Sequence, residues 1–144
     1  MSYRALLIGL LAMPLIASNA LAHSDAPHGM MKPAYGGQVQ ATASYQLELV
    51  VRKDSAEAKD NPVALYLYDH DGKKVASAGA GGSVTLLSAK EKAVVRLKPD
   101  GDNRLSGTGR YASDPAMKAL VAVTVGDKTE QARFTPLQAG EGLH

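Results

Sequence analysis

The chain has 144 residues, with 16 Lys and Arg against 14 Asp and Glu, and it contains neither cysteine nor tryptophan. Without cysteine there are no disulfides, no thiolate metal sites and no thiol nucleophile. Nearly balanced charge and a single phenylalanine give no reason to expect nucleic acid or an anionic membrane as partner.

The first 22 residues read as an export signal. MSYR carries Arg4, ALLIGLLAMPLI runs apolar from Ala5 to Ile16, and ASNALA ends on small residues at Ala20 and Ala22. The apolar run is about 12 residues, short of the ~20 that span a bilayer. Cleavage after Ala22 is therefore expected, with a periplasmic product that makes no stable membrane insertion. Of the 16 Lys and Arg, Arg4 leaves with the signal, so 15 face 14 acidic residues.

HSDAPHGMMKPAYGG, residues 23–37, has no period and many turn formers, and reads as a flexible arm. Gln38 to Thr42 is a first short strand. Tyr45 to Arg52 alternates: Tyr45, Leu47, Leu49 and Val51 share one face, and Gln46, Glu48, Val50 and Arg52 the other. Lys53 to Pro62 is a polar connection with a turn at Asn61-Pro62. Val63 to Asp69 is the next strand, and Asp71-Gly72 makes a hairpin turn. AGAGG at 78–82 reads as a plain loop.

Ser83 to Ser88 and Ala93 to Pro99 are strands, and RLSGTGR from Arg104 is a weak, glycine-broken one. YASDPAM has the cap chemistry for one helical turn before Met117. Ala119 to Val125, a Gly126-Asp127 turn and the segment from Lys128 close the domain as a hairpin. Roughly seven to nine short strands without a helical period predict an all-β fold, an antiparallel immunoglobulin-like β-sandwich, with an open barrel as runner-up. Its bounds are 38–137, with a frayed tail over 138–144.

No catalytic constellation emerges, and no enzyme is expected. G-x-S-x-G, H-E-x-x-H and phosphate-loop motifs are all missing. Two spots carry ligand chemistry. DHDGK places His70 between Asp69 and Asp71, a donor set that suits Cu(II), Zn(II) or Ni(II). The same residues also make an ordinary solvated hairpin tip, on which Asp69 and His70 would point to opposite faces. The arm offers His23, His28, Met30 and Met31. Freed by cleavage, His23 would chelate through its amine and imidazole, which favours Cu(II), while thioethers suit Cu(I). Read the other way, the arm is a leader without a role.

GGQVQATASYQLELVV, LYLYDHDGKKVASAGAGGSVTLL, VVRLKPDGDNRLSG and ALVAVTVGDKTEQARF together resemble a family of small secreted bacterial proteins. That family is associated with heavy-metal efflux systems and with N-terminal stretches of their periplasmic adaptor subunits. Gly36-Gly37, Tyr45, Glu48, Leu49, Asp69, His70, Gly72 and Lys73 carry the likeness. Relatives read His-Gly-Gly where this chain has Tyr35-Gly36-Gly37. A looser likeness, in architecture and His23 alone, is to CopC-like copper-resistance proteins. The resemblance implies a periplasmic metal-binding protein, copper foremost with zinc or nickel as alternatives. It would buffer the metal or deliver it to an efflux-pump subunit. The competing expectation is a non-metal module that docks on an envelope protein.

Overall fold

The computed structural model describes residues 29–89 and 91–138, so the expected signal segment and all of the expected frayed tail except Gln138 lie outside the described residues. Every regular element among them is a strand: β1 (Gln38–Ala41), β2 (Gln46–Val51), β3 (Lys59–Tyr68), β4 (Ala80–Leu87), β5 (Lys92–Pro99), β6 (Arg104–Tyr111), β7 (Lys118–Val125) and β8 (Lys128–Phe134). All pairings are antiparallel, in the order β1-β2-β3-β6-β5-β4-β7-β8.

The strands form one continuous eight-stranded sheet, nearer to the expected runner-up, an open barrel, than to two separate layers. The link is β5. Its Lys92–Leu97 portion pairs with β4, and Lys98 and Pro99 then pair with Ser106 and Leu105 of β6. Two glycines make this corner. A Cβ at Gly107 would lie 2.1 Å from the Arg96 carbonyl oxygen, and one at Gly109 would lie 2.3 Å from Val95 Cγ2. What reads as a glycine-broken strand is the place where β5 crosses β6 at close range.

The free edges of β1 and β8 are clasped by side chains. Thr135 donates its N–H to Gln38 Oε1 at 2.8 Å, and Gln38 Nε2 donates to Thr135 Oγ1 at 3.3 Å. Ser44 donates its N–H to Glu130 Oε1 at 2.8 Å. Hydrogen bonds from Ser44 and Thr42 hold the Glu130 carboxyl below the usual carboxylate range.

Alternation fills the interior. Leu47, Leu49, Val63, Leu65, Leu67, Leu105, Val84, Val95 and Val121 are fully buried. Met117, Ala119, Val123 and Phe134 complete the same core. Burial of these side chains is the main stabilising term, at about 1.5–3 kcal/mol for each large one.

Three local expectations are corrected. Lys59 to Pro62 belong to β3 and pair with β6, where a turn was expected. The Tyr111 hydroxyl explains how a proline fits there. It accepts from the Arg52 N–H at 2.8 Å and donates to the Pro62 carbonyl, bridging β2 and β3 where their ladder ends. A backbone N–H at Pro62 would have no ladder partner on that side, so its absence costs little. Asn61 is buried, and its Nδ2 donates to the Tyr111 carbonyl at 2.7 Å.

Ala80, Gly81 and Gly82 are strand residues of β4 rather than a plain loop. A Cβ at Gly82 would sit 2.4 Å from the Ala122 carbonyl oxygen, so glycine permits the close approach of β7. The YASDPAM stretch contains a single turn and no helix. Asp114 Oδ1 accepts from the Ala116 N–H at 2.9 Å, and the Asp114 carbonyl accepts from Met117 at 2.9 Å.

Candidate functional site

The turn after β3 is closed by Asp69. Its Oδ1 accepts from the Asp71 N–H at 2.8 Å and from the Lys73 N–H at 2.9 Å. The backbone adds Asp69 N–H to the Lys73 carbonyl at 2.8 Å, and Gly72 takes the positive φ of 82° that the turn needs. One oxygen of the best-placed carboxylate is thereby spent on local geometry. Asp71, by contrast, is exposed at the tip.

His70 is exposed, and its Nε2 lies 3.0 Å from the Ala43 carbonyl. A carbonyl only accepts, so Nε2 carries the proton in the neutral ring. That tautomer leaves the Nδ1 lone pair free to bind an ion, with the ring oriented by its other nitrogen.

The arm is held over its last residues. Glu48 is 0% exposed although it stands on the outer face of β2. Its Oε1 accepts from Ala34 at 2.8 Å, and its Oε2 accepts from Tyr35 at 2.9 Å and Gly37 at 2.8 Å, all from backbone N–H groups. Gly36 has φ 75°, and a Cβ at Gly37 would lie 2.3 Å from the Leu49 carbonyl oxygen. The Gly-Gly pair thus turns the chain down onto the sheet and lets it pass in contact with β2. Tyr35 lies flat on Tyr66 of β3, with ring centroids 3.9 Å apart and planes 9° from parallel. Position 35 is thus a stacking position. Burial pushes the neighbouring Tyr68 phenol above its ordinary range.

Gln46 joins arm and hairpin. Its Oε1 accepts from the Met31 N–H at 2.9 Å, while its Nε2 donates to the Asp69 carbonyl at 3.3 Å and the His70 carbonyl at 3.4 Å. Buried at 5% exposure, this one amide brings Met31 to the end of the sheet that carries His70. Met30 is 52% exposed beside it in sequence. Of the expected ligands, His70, Asp69, Asp71, Met30 and Met31 belong to these two connected segments, while His23 and His28 lie outside the described residues. Among the described residues, no three His, Asp or Glu side chains gather into a metal-binding group.

Glu48 and Gln46 are the residues that sequence reasoning missed as organisers. Period-two alternation assigns both to a solvated face, because it sees only β2 and not what covers it. The available signal was a pair of polar residues two apart on one strand, downstream of a Gly-Gly turn that can fold back over them.

Against known proteins, no protein-family model, curated protein or solved structure matches the chain. The chemistry of its own side chains therefore carries the functional argument.

Proposed function

We propose that this is a periplasmic metal-binding protein that holds copper and buffers it or passes it to an efflux system. The observation that carries this reading is the Gln46 bridge between the Met31 N–H and the carbonyls of Asp69 and His70. It joins the two segments in which the sequence concentrates imidazole and thioether donors. Three peptide units separate His28 from Met31, a reach of at most ~10 Å. His23 can span at most about 28 Å. An ion at this end would be taken by His70 Nδ1, with His23, His28, Met30, Met31 and Asp71 as further donors. Asp69 supports the turn and contributes its second oxygen at most. Nitrogen and thioether donors suit both oxidation states of copper; zinc and nickel are the alternatives.

The test is a copper titration of the exported protein after its N-terminus has been determined by mass spectrometry. Cu(II) affinity should fall on His70→Ala and on His23→Ala, and should fall when one extra residue precedes His23. Equal affinity in all four proteins would sink the reading.

The second reading is a non-metal module that docks on an envelope protein. The exposure of Met30 at 52% and Tyr35 at 48% on the strapped arm favours it. A flat titration with copper, zinc and nickel, together with a defined envelope protein whose binding is lost on Tyr35→Ala, would support it.

A further inference from the structure

The outward positions of β5, β4, β7 and β8 form a separate surface. The register aligns Val94, Thr85, Leu120 and Arg133 in one row across the four strands. Lys92, Leu87 and Lys118 form the next row. Arg96, Ser83, Ala122 and Gln131 form a third. Lys92, Arg96, Lys118 and Arg133 are exposed, and no Asp or Glu occupies an outward position in these rows. Glu130 has the opposite parity on β8 and is engaged with Ser44. Between the cations stand Val94, 60% exposed, and Leu87, 43% exposed. At the β8 side, a cleft of about 440 Å³ opens beside Leu87 and Leu120, reaches Phe134, and has Lys118 and Arg133 in its lining.

We propose that this face docks on an anionic lipid bilayer, with the cleft receiving part of one acyl chain while Lys118 and Arg133 meet its headgroup. The charge pattern selects the partner. The cations sit on three different strands, spread over roughly 14 Å, instead of converging on a single anion. A dispersed array with aliphatic side chains standing among it matches a plane of mobile anionic headgroups over hydrocarbon. An acidic protein segment would use the same charges but would leave the apolar cleft unfilled. The proposal is independent of any metal at the hairpin, which lies at the end of β3.

The experiment is cosedimentation of the exported protein with vesicles of phosphatidylglycerol and phosphatidylcholine, against phosphatidylcholine alone. Each cation near an anionic surface is worth about fivefold in affinity. The double variant Lys118→Glu, Arg133→Glu should therefore bind anionic vesicles at least about 30-fold more weakly. Leu87→Asp should also weaken binding, whereas Arg52→Glu with Lys53→Glu, on the connection after β2, should change it little. The exported protein lacks the N-terminal apolar run after the proposed cleavage, so differences between variants report this face. Circular dichroism and Tm verify that each variant is folded. Equal binding to phosphatidylcholine alone, no loss in the folded double variant, or binding to polyglutamate without binding to vesicles would each overturn the proposal.

Discussion

Gly37 donates its N–H to Glu48 Oε2 at 2.8 Å from a position where a Cβ would lie 2.3 Å from the Leu49 carbonyl oxygen. The hydrogen bond and the missing side chain are one device, because the amide reaches the carboxylate only if the backbone passes in contact with β2. Glu48→Ala removes an acceptor shared by three backbone N–H groups. The expected cost is about 2–4 kcal/mol, limited by release of the amides to water once the arm lifts. Hydrogen exchange would show Ala34, Tyr35 and Gly37 losing protection while β3 and β7 keep theirs. Gly37→Ala should produce the same pattern through steric conflict.

Gln46 is expected to act on metal binding without being a ligand. Gln46→Ala cuts the tie between Met31 and the hairpin while leaving every proposed donor in place. Copper affinity should fall by roughly three- to tenfold, the effect of about 1 kcal/mol of lost preorganisation. Calorimetric titration checks this, and a Gln46→Ala affinity equal to that of the wild type would show that the tie does not organise the site.

Asp69 and His70 should separate stability from binding. Asp69→Ala removes the acceptor of two turn N–H groups and should cost about 1 kcal/mol of stability by denaturant unfolding. Its effect on copper should be smaller than that of His70→Ala. His70→Ala in turn should leave unfolding nearly unchanged, because the ring is exposed.

The Tyr111 hydroxyl bridges Arg52 and Pro62 at the end of the β2–β3 ladder. Tyr111→Phe keeps the ring in the core and deletes the bridge. A loss of about 1–2 kcal/mol is expected by chemical denaturation, since two partly buried hydrogen bonds are lost together.

Glu130 makes the β1–β8 clasp acid-sensitive. Its carboxyl is held below the ordinary range in the folded protein, chiefly by hydrogen bonding from Ser44. The unfolded chain therefore binds the proton more readily. This contribution is fully present above the ordinary glutamate value of about 4.3 and is lost as pH falls through the lower, folded value. The group is near the surface, so its worth is roughly 0.5 kcal/mol or less. Glu130→Gln should flatten that part of the stability profile below about pH 4.3, read by urea unfolding from pH 3 to pH 7.

Much of the barrel was legible residue by residue. Leu47, Leu49 and Val51 share one face of a period-two strand and do line the core. Asp71-Gly72 and Gly126-Asp127 marked turns that the backbone makes, with positive φ at Gly72 and Gly126. The misses share a cause. Pro62, Gly82 and Gly107 look like breakers locally, and each is accommodated by a partner remote in sequence: Tyr111, Ala122 and Arg96. Within the candidate site, His70 and its flanking carboxylates were visible as a motif. The choice between Asp69 and Asp71 was not, because it depends on which oxygen the turn consumes.

The sequence by itself determined an all-β chain without thiol chemistry, since period-two apolar patterning and composition are local properties. Tertiary structure decided what the polar residues do. Net charge near zero conceals a sheet face with four exposed cations, because a sum carries no positions while strand register does. Glu48 and Gln46, polar residues on an alternating strand, become buried organisers only when Met31–Gly37 folds over them. A carboxylate taken out of water requires partners, and the backbone amides of that returning segment supply them.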